Sequence, residues 1–150
     1  MTQVAGTVND ILRHKGSQVW SIGPNATVYD AIRMMADKNV GALLVMEGER
    51  LVGIISERDY TRKVLLKGRA SKDTPVCEIQ TTDPLCVTPD HSVEECLRLM
   101  TEHRCRHLPV VQDQKVVGLV SIGDLVNWII TQQSHTIRQL EAYITGGYPG

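Results

Sequence analysis

No stretch of the 150-residue chain approaches the roughly 20 apolar residues that a membrane-spanning helix requires. Met1 to Gly16 carries no apolar core of a secretory signal, so the chain reads as cytoplasmic. Excess charge of one sign is also missing. The net charge is −1, with acidic and basic residues interleaved, and this leaves no broad cationic surface for phosphate-backbone binding. There is no glycine-rich phosphate loop and no serine or cysteine with an assignable base, so an enzyme is not expected. Cys77, Cys86, Cys96 and Cys105 form no CxxC pair, and disulfides are not expected without an export signal. His103, Cys105 and His107 alternate as zinc ligands on one strand face could. Cys96 and Cys105, however, stand where an earlier part of the chain has Ala31 and Val40, the positions of small buried apolar side chains, and no metal is expected.

What is present is a duplication. Gly53-Ile54-Ile55-Ser56-Glu57-Arg58-Asp59 is echoed by Gly118-Leu119-Val120-Ser121-Ile122-Gly123-Asp124, an offset of 65 (118 minus 53). The same offset relates Pro24 to Pro89, Val28 to Val93, Arg33 to Arg98, Leu43 to Leu108 and Val52 to Val117. Thr7 to Leu12 reads as a short helix and is matched by Pro75 to Ile79 at an offset of 68, which puts three extra residues into the loop between Arg13 and Val19.

Val19 to Ile22 reads as a short strand ending in the turn Gly23-Pro24-Asn25. Thr27-x-x-Asp30 and Ser92-x-x-Glu95 are helix-start patterns. Behind them Val28, Ala31, Ile32 and Met35, and Val93, Cys96, Leu97 and Met100, recur at the spacing of a helix with one buried face. Val40 to Met46 and Cys105 to Val111 read as buried strands. They turn at Glu47 to Arg50 and Gln112 to Lys115, then return through Leu51 to Ile55 and Val116 to Val120 into a second helix.

The fold class is therefore α+β (α/β): two strand-helix-strand-strand-helix units over residues 7–66 and 75–132, a polar linker at 67–74, and an extension at 133–150. Neither unit buries enough surface alone, so the two are expected to pack sheet to sheet as a pseudo-two-fold pair with a cleft between equivalent elements. Asp124 to Ile144 reads as one long C-terminal helix. Its stripe of Leu125, Trp128, Ile129, Gln132, Ile137, Leu140 and Ile144 suggests a dimer contact. Trp20 and Trp128 read as packing residues.

Ser56-x-x-Asp59 and Ser121-x-x-Asp124 satisfy two demands equally well. As capping boxes they pair free backbone N–H groups; as ligand sites they offer a hydroxyl, a positive helix end and a carboxylate able to hold vicinal ribose hydroxyls. The two roles are compatible.

The arrangement resembles the tandem CBS domain pair, or Bateman module, on Thr27-Val28-Tyr29-Asp30-Ala31-Ile32, Arg106-His107-Leu108-Pro109-Val110-Val111 and the two Gly-h-h-Ser-x-x-Asp steps, where h is apolar. It is similar in particular to small stand-alone CBS-pair proteins of bacteria and plant organelles. Further matches of that kind are Val40 to Leu43, Ser56 to Tyr60, Arg104 to His107, Ser121 to Asp124 and the tail Ala142 to Tyr148.

The resemblance implies a non-catalytic module that binds an adenine nucleotide (AMP, ADP, ATP or NAD(H)) and reports energy or redox state to a regulated protein whose identity the sequence does not carry. It places Asp59 and Asp124 on ribose, and Ser56 and Ser121 on ribose or phosphate. Arg106 and His107 are expected beside Asp59 and Arg58, and Gly41 and Ala42 beside Asp124. The first cleft, with two guanidinium groups and an imidazole, is expected to hold phosphate more strongly. A homodimer of such pairs is expected, with no nucleic-acid or membrane partner. The alternative is a ligand-free interaction or dimerisation scaffold.

Overall fold

The computed structural model describes residues 5–132. Its elements run α1 (Val8–Lys15), β1 (Ser21–Ile22), α2 (Val28–Lys38), β2 (Ala42–Glu47), β3 (Arg50–Ser56), α3 (Glu57–Tyr60), β4 (Thr81–Thr82), α4 (Val93–His103), β5 (His107–Gln112) and β6 (Lys115–Ser121), and close with α5 over residues 122–132. A π turn, Thr61–Leu65, extends α3, and tight 3-10 turns occupy Ser71–Asp73 and Val76–Glu78. The expected α+β pair is present. Of the C-terminal stripe, Ile137, Leu140 and Ile144 lie outside the described residues.

The helices start where the capping residues stand. Thr27 Oγ1 accepts from Asp30 N at 3.1 Å, and Ser92 with Glu95 completes both bonds of a capping box. Val28, Ala31 and Met35, and their counterparts Val93, Cys96 and Met100, are the buried residues of α2 and α4. Burial pushes the Cys96 thiol up to about 11, with the Glu95 carboxylate adding to the shift, so this cysteine behaves as a small apolar side chain. Trp20 packs against the first core beneath the Lys38 ammonium, 4.4 Å from its ring, and Trp128 packs against the second.

Each hairpin, β2–β3 and β5–β6, is antiparallel with one register irregularity at the same place, Val45/Met46 and Val110/Val111. The strand before each helix differs in extent. Ser21–Ile22 pairs in parallel with Leu44–Val45, whereas in the second unit only Val87 bridges Val110. Ala42, Leu44 and Ile54 form a third cluster with Val116 and Leu119, which joins the two hairpins face to face.

The two cores exchange their leading segments. Val8, Ile11 and Leu12 of α1 are buried among Val87, Val93, Cys96, Met100, Leu108, Val110 and Val120 of the second unit. Val76 and Ile79 in turn complete the first core with Val28, Met35, Leu43, Val45 and Ile55. The backbone bonds repeat the exchange. Val8 N donates to His91 O, Asn9 N to Pro89 O and Val93 N to Gly6 O, just as Val76 N donates to Ala26 O, Cys77 N to Pro24 O and Val28 N to Thr74 O.

The glycine of each repeated step marks where the exchanged segment crosses the returning strand. A Cβ at Gly118 would lie 2.7 Å from a Leu12 methyl, and one at Gly53 would lie 2.7 Å from the Gln80 side chain and 2.9 Å from the Thr81 carbonyl oxygen. Backbone cannot give way as a side-chain tip can. Gly53→Ala is therefore expected to cost about 1–3 kcal/mol by overpacking, read as a lower urea midpoint at unchanged slope. An unchanged midpoint would show that β4 moves aside freely.

Candidate functional site

Both Ser-x-x-Asp steps are capping boxes. Ser56 N donates to Asp59 Oδ2 at 3.0 Å and Asp59 N donates to Ser56 Oγ at 3.2 Å; Ser121 N donates to Asp124 Oδ2 at 2.8 Å and Asp124 N to Ser121 Oγ at 3.1 Å. In each case the strand delivers a serine in extended conformation and the helix turns the carboxylate back over it. The start of the preceding strand is tied to the same helix, since Glu57 N donates to Gly41 O at 3.1 Å and Ile122 N to Arg106 O at 2.8 Å. Gly41 and Arg106 are thus equivalent parts of the two sites, held by their backbone.

Across the seam, Arg58 from the first unit and Arg106 from the second line one cleft of about 220 Å³, together with Arg104, Thr101, Cys105 and Ile122. Arg104 belongs to the matched stretch Arg104 to His107 but is not among the residues expected to bind ligand. It ends α4 in the left-handed conformation, φ 53°, at the position where α2 ends on Asn39, φ 55°. The paired helix ends were the available signal. A larger depression of about 310 Å³ lies at the hairpin turns, between Arg50, Asp83, Pro84, Cys86 and Gln114.

His107 occupies the seam itself. A Cβ on Gly41 would lie 3.8 Å from its Nε2, an ordinary contact distance, so the ring stands directly beside Gly41. Its unit-one counterpart, Ala42, is buried in the seam cluster. Burial lowers the imidazole below its ordinary 6.5; Asp124 pulls it up, Lys15 down, Asp59 up and Arg106 down. His107 therefore faces charged groups of both sites. His103 ends α4, and among the described residues no three His, Cys, Asp or Glu side chains are grouped as a metal ion would require.

A lowered pKa means that the unfolded chain binds the proton more readily, so stability rises with pH through this window. The contribution of His107 is complete above about 6.5 and declines as pH falls below it. His107→Gln is expected to flatten the loss of stability as pH falls below about 6.5, measured by urea unfolding. An identical pH dependence in the variant would contradict the burial.

Each aspartate also carries a lysine. Lys63 Nζ lies 3.2 Å from Asp59 Oδ1 and donates to Ile79 O at 3.0 Å; Lys15 Nζ donates to Asp124 Oδ2 at 2.7 Å and to Leu119 O at 2.8 Å.

The CBS-domain family model matches residues 8–66 and 76–131. The mitochondrial CBS domain-containing protein CBSX3 of Arabidopsis thaliana is 42% identical over 152 residues, covering 95% of this chain and 73% of that protein. A solved CBS-domain protein from Burkholderia ambifaria MC40-6 superposes with a TM-score of 0.83 at 50% identity, over 85% of this chain and 96% of that one. The CBS domain protein PAE2072 of Pyrobaculum aerophilum, solved in complex with AMP, shares the fold with a TM-score of 0.71 at 24% identity, over 79% of this chain and 89% of that one. Among the described residues, no helix is long and apolar enough to cross a membrane.

Proposed function

The chain belongs to the CBS-domain family, and from that premise we propose that it is a non-catalytic regulatory module that binds an adenine nucleotide, AMP, ADP, ATP or NAD(H), in the clefts between its two units and signals energy or redox state to a partner protein. The observation that carries this reading is the placement of two capped Ser-x-x-Asp steps on either side of a seam where Arg58, Arg104 and Arg106 converge. A capped helix start holds its carboxylate still, and a fixed carboxylate can accept from two ribose hydroxyls without an ordering cost. The guanidinium groups supply planar donors for phosphate oxygens. In this scheme Ser56 and Asp59 serve one cleft with Arg58, Arg106 and His107, and Ser121 and Asp124 serve the other beside Gly41 and Ala42. The AMP held by the Pyrobaculum protein is the ligand class that this chemistry suits.

The module acts as a homodimer in this reading. Ile122, Val126 and Ile130 are exposed at successive turns of α5, and Leu65 and Leu66 are exposed at the corresponding end of the first unit. Exposed apolar side chains at the equivalent ends of both units suit a second copy. That observation also favours a second reading, an interaction scaffold with unused clefts. The cytoplasm, where thiols stay reduced, suits the four free cysteines.

A thermal-unfolding panel of nucleotide-stripped protein separates the two. A true ligand at a hundredfold excess over its Kd stabilises the fold by about 2.7 kcal/mol, a shift of several degrees. AMP, ADP, ATP, NAD or NADH is expected to give that shift and GMP is not. No shift with any adenine nucleotide would reject the sensor and leave the scaffold.

A further inference from the structure

We propose that Lys15 is the phosphate-reading residue of the second cleft, so that this cleft selects a phosphorylated nucleoside over the bare nucleoside. The proposal rests on the nucleotide-binding reading and deepens it. An ammonium group has three N–H donors, and two are accounted for by Asp124 Oδ2 and Leu119 O. The Lys15 side chain is a third exposed, so a ligand can reach the ammonium beside the carboxylate assigned to ribose.

Comparison of the two repeats shows why this is not a chance surface pair. In the first unit the cation on Asp59 comes from Lys63, one helical turn away, and is anchored on a backbone carbonyl. The same turn after Asp124 brings Trp128, which packs against the second core and donates to Ala5 O. A lysine nevertheless stands on Asp124, likewise anchored on a carbonyl, and it arrives from 109 residues away. It does so because α1 is built into the second core, with Ile11 and Leu12 buried and Lys15 at its last turn. Two unrelated chain positions thus converge on one arrangement, an aspartate and a carbonyl holding a lysine.

An ammonium fixed in this way is a compact point charge suited to one phosphate. The second cleft therefore does not rely on backbone donors alone, and its phosphate affinity rises toward that of the arginine-lined first cleft. A ribose on Asp124 and a phosphate on Lys15 would be read together.

The test compares AMP with adenosine by calorimetric titration in an Asp59→Ala background, which leaves the second cleft to report. Lys15→Met is expected to weaken AMP by about tenfold or more, with adenosine affinity unchanged and Lys15→Arg restoring most of the AMP affinity. Circular dichroism confirms that each variant folds, and Lys15→Gln, which keeps a hydrogen-bond donor for Asp124 without the charge, carries the test with the same expected split should the methionine variant not fold. Equal weakening of AMP and adenosine would assign Lys15 to the scaffold of Asp124 and overturn the proposal. Tighter AMP binding in Lys15→Met would show a plug in place of a reader and overturn it too. If neither compound binds the unsubstituted protein, the nucleotide reading itself fails.

Discussion

Replacing Ile11 by alanine is expected to destabilise the half of the molecule that begins some 70 residues later. Ile11 is buried in the second core against residues of α4, β5 and β6, and truncating a buried isoleucine to alanine costs about 2–5 kcal/mol through lost transfer energy and the cavity left behind. Because Ile11 packs in the second core and not in the first, the loss should be local at first. Hydrogen exchange should speed up in β5, β6 and α4 before it does in β2 and β3. The converse variant, Ile79→Ala, removes a side chain from the first core and should loosen β2 and β3 instead. Faster exchange in β2 and β3 from Ile11→Ala would contradict the exchange of segments. Since α1 also carries Lys15 to Asp124, Ile11→Ala should weaken ligand binding at the second cleft more than at the first.

The second large effect concerns the carboxylates. Asp59→Ala and Asp124→Ala each remove a charged acceptor that the nucleotide reading gives to ribose, and hydrogen bonds to charged groups contribute about 1.5–3 kcal/mol, or roughly ten- to hundredfold in affinity. Each substitution also removes one half of a capping box, at about 1 kcal/mol of stability. The two costs separate by measurement, because cap loss lowers the unfolding midpoint without ligand whereas ribose loss lowers affinity. A tenfold affinity loss at one cleft with the other unaffected is the expected outcome for each variant. Loss of stability alone would leave the Ser-x-x-Asp steps as caps and nothing more.

Much of this was legible in the residues. The offset of 65 aligned α2 with α4, the hairpin β2–β3 with β5–β6, and the helix starts after Ser56 and Ser121, because hydrophobic periodicity is local and a duplication repeats it. The Asp59–Lys63 pair follows from the one-turn spacing on a helix. The segment exchange was not legible in the same way. The offset of 68 says that Thr7 to Leu12 is equivalent to the segment from Pro75, but equivalence does not say on which copy a segment packs. Both choices bury the same apolar side chains, and the connections decide between them. Lys15 was missed for the same reason, since a pairing across 109 residues leaves no local pattern. Element ends were also approximate. The segment from Pro75 forms a single 3-10 turn where a helix was expected, and the short β4 that follows adds to the first sheet beside β3. The π turn after α3 places Val64 in the core and leaves Leu65 and Leu66 outside, a phase change that regular helical spacing does not show.

In the sensor reading two separate clefts, each built on one capped aspartate, bind nucleotide independently. Equilibrium dialysis with the adenine nucleotide that gives the largest thermal shift decides this when applied to the unsubstituted protein, to Asp59→Ala, to Asp124→Ala and to the double variant. The expected stoichiometry is two per chain, falling to one in each single variant and to none in the double. Loss of all binding in either single variant, or full binding in the double, would contradict it.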